Sequence, residues 1–135
     1  MIELWDTSAL ILAARDASIA AGLAEALAND EVAICEAVLL EYLNGARNIA
    51  EYDRFDQALR AVRLLSTTTD DWRRALAVHR MLAQSGPGHQ RSVRLVDLVV
   101  AAVAERHGYP VAHVDRDYER IAGLTGQPVR WVALA

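Results

Sequence analysis

Four acids lying far apart in the chain, Asp6, Glu41, Asp97 and Asp115, could together bind a divalent cation and use it for phosphodiester chemistry. Asp6 closes the apolar segment Ile2 to Trp5, and Asp115 closes another, Val111 to Val114, so each reads as the residue just past a strand. In open parallel sheets, ligands bind beyond the carboxyl ends of the strands, where strand order reverses. Both acids would face one pocket there if their strands are neighbours. Asp97 is surrounded by Leu95, Val96, Leu98, Val99, Val100 and Val103. A helix apolar on nearly every face is buried, and a charge inside one must be paired or coordinate a metal. Glu41 lies within Val38-Leu39-Leu40-Glu41-Tyr42-Leu43, where a solvated helix face is the default role. The other three also have ordinary alternatives. Asp6 could open a turn, Asp115 could cap the next helix, and Asp97 could complement a helix dipole for about 0.3–1 kcal/mol.

Taken as a set, the acids point to metal. Carboxylates brought to about 5 Å repel pairwise by roughly 3 kcal/mol at an effective dielectric near 20, which no fold gains from. One or two divalent cations would neutralise the cluster, and hard oxygen ligands suit Mg²⁺ or Mn²⁺. Such ions support hydrolysis of phosphodiesters by activated water. They would also supply positive charge to a chain whose net charge is −4, with 14 basic and 18 acidic side chains. Every basic residue is arginine. Without lysine, Schiff-base chemistry, a lysine nucleophile and a P-loop are excluded. Arg91 and Arg94, before Asp97, and Arg116 and Arg120, after Asp115, could hold phosphates, or could be ordinary solvated arginines. Asp117 is either a further ligand or the N-cap of a helix starting at Tyr118.

The elements that must position these residues alternate. Strands are expected at Ile2–Trp5, Val32–Ile34, Leu64–Leu65, Val111–Val114 and Val129–Val132. Helices are expected at Ala9–Ala14 behind capping hydroxyls on Thr7 and Ser8, then at Ser18–Asn29, Glu36–Asn44, Ile49–Val62, Asp70–Gln84, Leu95–His107 and Tyr118–Leu124. Gly86-Pro87-Gly88 is the clearest loop. Strands separated by helices imply parallel pairing with helices on both faces, in a single α/β domain spanning 1–135.

Composition sets the remaining bounds. A chain of 135 residues can bury a core without disulfides or structural metal. Cys35 has no cysteine partner, and His79, His89, His107 and His113 lack zinc-site spacing, so a reduced cytoplasmic setting is expected. The longest apolar run, Leu98 to Ala104, is far short of the roughly 20 residues that span a bilayer. Glu3 and Asp6 do not fit a secretory signal, so Met1 is taken as the start of the folded domain.

The sequence resembles the PIN-domain ribonucleases, in particular the VapC toxins of bacterial toxin-antitoxin pairs. The resemblance covers nearly the whole chain. It rests on Asp6-Thr7-Ser8-Ala9-Leu10, on Glu41, on the run from Asp97 to Ala104, and on the run from His113 to Ala122. It implies a three-layer PIN-like fold with a five-stranded parallel sheet, a pocket binding Mg²⁺ or Mn²⁺, and endonucleolytic cleavage of RNA. By position, Asp6, Glu41, Asp97 and Asp115 match the family's acidic quartet and Ser8 its hydroxyl near the first acid. Asp115 and Asp117 compete for the fourth place, and the motif favours Asp115. A homodimer and a VapB-type antitoxin partner are implied as well. Two other readings compete. Asp115-Arg116-Asp117 looks like the Asp-x-Asp of aspartyl-phosphate enzymes, but there the motif opens the fold, and a receiver would need a lysine. A PIN-like module that binds RNA or protein without cutting is the stronger rival, although it would have no need of four acids.

Overall fold

The computed structural model describes residues 1–133, so the last two positions of the expected 1–135 domain lie outside the described residues. In chain order the elements are β1 (Glu3–Trp5), α1 (Thr7–Ala13), α2 (Ala17–Ala28), β2 (Val32–Cys35), α3 (Glu36–Asn44), α4 (Ile49–Arg60), β3 (Arg63–Leu65), α5 (Thr69–Ser85), α6 (Leu95–His107), β4 (Val111–His113), α7 (Arg116–Thr125) and β5 (Val129–Trp131). A 3-10 turn, His89–Ser92, lies between α5 and α6 in a stretch that local composition marks only as loop.

All strand pairs are parallel and the order is β3-β2-β1-β4-β5. Strand order reverses between β1 and β4, which pair through Leu4 with Val111 and Trp5 with Ala112. Right-handed crossovers place the first four helices on one face and the last three on the other. The contacts agree, since α1 packs on α2 and α3, α3 on α4, and α5, α6 and α7 on one another. This is the three-layer α/β arrangement expected from the sequence.

Polar side chains set where the helices begin. The Asp6 carboxylate caps α1 by accepting from the Ser8 amide, so α1 starts at Thr7 and not at Ala9. The hydroxyls of Thr7 and Ser8 are inside the helix rather than capping it. Likewise Asp115 caps α7 by accepting from the Asp117 amide, which starts that helix at Arg116 and removes Asp117 as its cap. Both α6 and α7 end on glycines in the left-handed region, Gly108 (φ 70°) and Gly126 (φ 73°), where a side chain would be strained. The core runs through the sheet into α6, with Leu4, Val38, Val100, Val103 and Val111 fully buried. Leu4→Ala would cost about 2–5 kcal/mol by opening a cavity there. Cys35 is a buried core thiol, which burial pushes up to about 11. Among the described residues, no helix is long and apolar enough to cross a membrane.

Candidate active site

The acids meet over the carboxyl ends of β1 and β4, at the reversal of strand order, where the geometry of a parallel sheet leaves a crevice. Asp6 follows β1 directly and is 3% exposed. Its Oδ2 accepts from the Ser8 amide at 3.0 Å and the Ser8 hydroxyl at 2.6 Å, while its Oδ1 accepts from the Tyr118 hydroxyl at 2.7 Å. Ser8 Oγ in turn accepts from the Val114 amide at 3.1 Å, tying the β1 exit to the β4 exit. Glu41, on α3, reaches the same place, with its Oε1 3.3 Å from Thr7 Oγ1 and its Oε2 paired with the Arg94 guanidinium.

Asp97 occupies the third position of α6 and is 1% exposed. Its Oδ1 lies 3.2 Å from the Tyr118 hydroxyl, and its Oδ2 is buried with no hydrogen-bond partner among the described residues. Burial first, then the Asp6 charge, pushes this carboxyl up to about 8. Asp115 lies two residues beyond β4, because the strand ends at His113 and not at Val114. The His113 ring accepts from the Asp115 amide at 3.0 Å through Nδ1, and burial pushes the imidazole below its ordinary range. Asp117, in the first turn of α7, accepts from the Arg94 amide at 2.9 Å.

Two sets of acids therefore come together. Asp6, Glu41 and Asp97 can each offer an oxygen within 4.8 Å of the others, and Asp97, Asp115 and Asp117 do the same. Asp97 is common to both. A buried carboxylate oxygen without a donor, amid other carboxylate oxygens, fits a hard divalent cation and is otherwise costly.

The arginines separate. Arg94 enters the cluster through Glu41, as a cation already seated among the acids. Arg120 instead binds the Ser92 carbonyl at 2.7 Å, with Asp117 3.7 Å away, and so holds the 3-10 turn against α7. Arg91, in that turn, and Arg116, at the start of α7, are exposed. Local sequence reasoning missed Tyr118, Thr7 and His113 as neighbours of the acids. For Tyr118 a signal existed. It lies three residues before Ile121 on the inward face of α7, and a tyrosine facing a core must give its hydroxyl to a partner.

The sequence family described as PIN domain matches residues 4–124, a span that contains every one of these acids. The chain belongs to the PIN-domain family. Within that family it aligns with Ribonuclease VapC18 of Mycobacterium tuberculosis at 39% identity over 132 residues, covering 98% of this chain and 96% of that protein. Ribonuclease VapC51 of the same organism is 42% identical over 96 residues, covering 71% and 68%. Among solved structures, this PIN-domain chain resembles the VapBC2 complex of Rickettsia felis bound to a promoter DNA fragment, with TM-score 0.78 and 17% identity over 97% of this chain and 99% of that one. It also resembles VapBC-5 of Mycobacterium tuberculosis, with TM-score 0.64 and 29% identity over 96% and 95%. The fold is the one the alternation of strands and helices led to, and the family is the one the sequence resembles.

Proposed function

We propose that this PIN-domain protein is an Mg²⁺- or Mn²⁺-dependent endoribonuclease, acting as the toxin of a toxin-antitoxin pair. One observation carries the reading: Asp6, Glu41 and Asp97 form one cluster of oxygens at the strand-order reversal and Asp97, Asp115 and Asp117 a second, and the shared Asp97 has a buried oxygen with no hydrogen-bond partner among the described residues. The names of the aligned relatives, ribonucleases VapC18 and VapC51, supply the substrate class. The residues that would hold a cation are Asp6, Glu41, Asp97 and Asp115, with Asp117 beside them. When bound, Mg²⁺ or Mn²⁺ activates water for attack on phosphorus and offsets the charge that builds on the phosphate.

The chain's own side chains do the rest. Ser8 holds Asp6 through both amide and hydroxyl, and His113 fixes the turn that presents Asp115. Arg94, exposed at its tip, can exchange its contact with Glu41 for a phosphate oxygen. Arg91 and Arg116 lie in the turns that flank the acids, open to a nucleic-acid backbone.

For partners, we propose a VapB-type antitoxin, in line with the VapBC complexes that share the fold, and a cytoplasmic setting where RNA is met. A homodimer is supported by a groove beside Glu41 lined by Leu40, Trp72 and Leu95, which are 67%, 58% and 69% exposed. A PIN-like module that only binds would have no use for an unsatisfied buried carboxylate oxygen. The test is direct: purified protein is incubated with structured RNA in Mg²⁺, in Mn²⁺ and in chelator. Cleavage with either metal and none in chelator is expected. Cleavage that persists in chelator would overturn the mechanism.

A further inference from the structure

The function proposed above assigns no task to Tyr118, yet its hydroxyl oxygen touches carboxylates from two different parts of the fold. The side chain is fully buried, lies on α7, and places its oxygen 2.7 Å from Asp6 Oδ1 and 3.2 Å from Asp97 Oδ1. Asp6 has other restraints, since Ser8 binds its second oxygen twice. Asp97 has no such pair of donors: among the described residues only the Tyr118 hydroxyl donates to its carboxylate, and its other close neighbours, Asp117 included, are acids. An aspartate's terminal torsion is broad, so a lone contact on one oxygen decides where the other points.

We infer that Tyr118 is a positioning residue that orients the Asp97 carboxylate against Asp6, leaving Asp97 Oδ2 free for a divalent cation. The inference rests on the metal-dependent reading above. The phenol has one proton to give and can also accept, so it donates to the ionised acids in the metal-binding state and can accept from Asp97 when that carboxyl is protonated. Either way it joins α7 to the β1 exit and to α6 through a single atom. Tilted stacking on His113, with ring centroids 5.2 Å apart, fixes the ring itself. Because Tyr118 has no exposed surface, it cannot meet RNA, and its influence has to pass through the acids. Losing such a supporting contact typically weakens metal affinity or activity about 10–100-fold.

The test measures Mn²⁺ binding by calorimetry on metal-stripped protein without RNA. Wild type, Tyr118→Phe and Ile121→Val are compared, the last thinning the same α7 core without touching a carboxylate. Tyr118→Phe should bind Mn²⁺ about tenfold more weakly, while Ile121→Val stays within about twofold of wild type. In cleavage assays Tyr118→Phe should lower kcat with little change in KM for RNA. Replacing Tyr118 by 4-aminophenylalanine, which keeps a donor at the para position, should recover most of the affinity. If the phenylalanine variant folds poorly, 4-fluorophenylalanine at the same position fills the hydroxyl's space without a donor and gives the same reading. Wild-type Mn²⁺ affinity in a variant lacking the donor would overturn the inference while leaving the nuclease reading intact. Absence of Mn²⁺ binding in wild type would overturn both.

Discussion

Asp71 and Asp97 hold the same place in two helices that pack on each other, the third residue of α5 and of α6, and both are 1% exposed. Their surroundings are opposite. Asp71 receives Arg106 Nε at 2.8 Å and Nη2 at 3.0 Å, and the Thr68 amide at 2.8 Å, so every oxygen is used. Burial alone would push its carboxyl up, but the Arg106 fork and the Thr68 bonds outweigh that and hold it below the ordinary carboxylate range. Asp97 has other acids for neighbours and an oxygen with no donor, and its carboxyl moves up to about 8. Burial of an acid is therefore not the mark of a site. What distinguishes a site is burial without internal compensation, which leaves room for something the chain does not contain.

The comparison breaks most visibly under mutation. Asp97→Asn should abolish metal-dependent RNA cleavage, by about a thousandfold or more if each ligand carries several kcal/mol of transition-state stabilisation. Its circular dichroism should stay that of wild type, and its metal-free melting temperature should be equal or higher. A large drop in melting temperature would give Asp97 the structural role assigned here to Asp71. Conversely, Asp71→Asn should leave cleavage intact at low temperature and cost about 2–3 kcal/mol in denaturant unfolding. That figure is below the usual range for a broken buried pair because Arg106 stays partly open to water. Loss of cleavage with unchanged stability in Asp71→Asn would erase the distinction.

Titration sharpens it further. Asp97 has a folded pKa raised above its unfolded value, so the folded chain holds a proton that the unfolded chain has released between about pH 4 and 8. Its contribution is fully present below the unfolded pKa, and metal-free stability should fall as pH rises through that window. Asp71 runs the other way, with a lowered folded pKa whose contribution is present above the unfolded value and lost on acidification through the folded one. Denaturant melts across pH should lose the alkaline decline in Asp97→Asn and the acid decline in Asp71→Asn. Mn²⁺ affinity should rise toward pH 8, since a bound cation needs the ionised form.

The two arginines set a larger effect, at Arg106, against the smallest, at Arg94. Arg106→Met strands the buried Asp71 and should cost stability comparable to Asp71→Asn. Arg94→Met removes a largely exposed pair with Glu41 and should shift the unfolding free energy by no more than about 1 kcal/mol, with a modest rise in KM for RNA. Equal losses in the two variants, read by chemical denaturation, would show that Arg94 is structural.

Much of the architecture was legible in the residues themselves, because strand and helix periodicity is a local property. The alternation of apolar strands and amphipathic helices led to a parallel α/β sheet, and the apolar run around Asp97 marked it as an acid in a buried helix. Boundaries shifted where a side chain bonded its own backbone: Asp6 and Asp115 moved the starts of α1 and α7, and the loop after Gly88 concealed a 3-10 turn. Which acids share a pocket was outside the reach of local pattern. Asp71 and Asp97 share a place in sequence, each an acid in the first turn of a helix, and although the apolar run singles out Asp97, nothing local says which neighbours either will meet. Only the packing of α5, α6 and α7 gave one an arginine and the other a tyrosine hydroxyl between two carboxylates. Electrostatic partners are set by distances across the fold, and those distances exist only once the strands have taken the order β3-β2-β1-β4-β5.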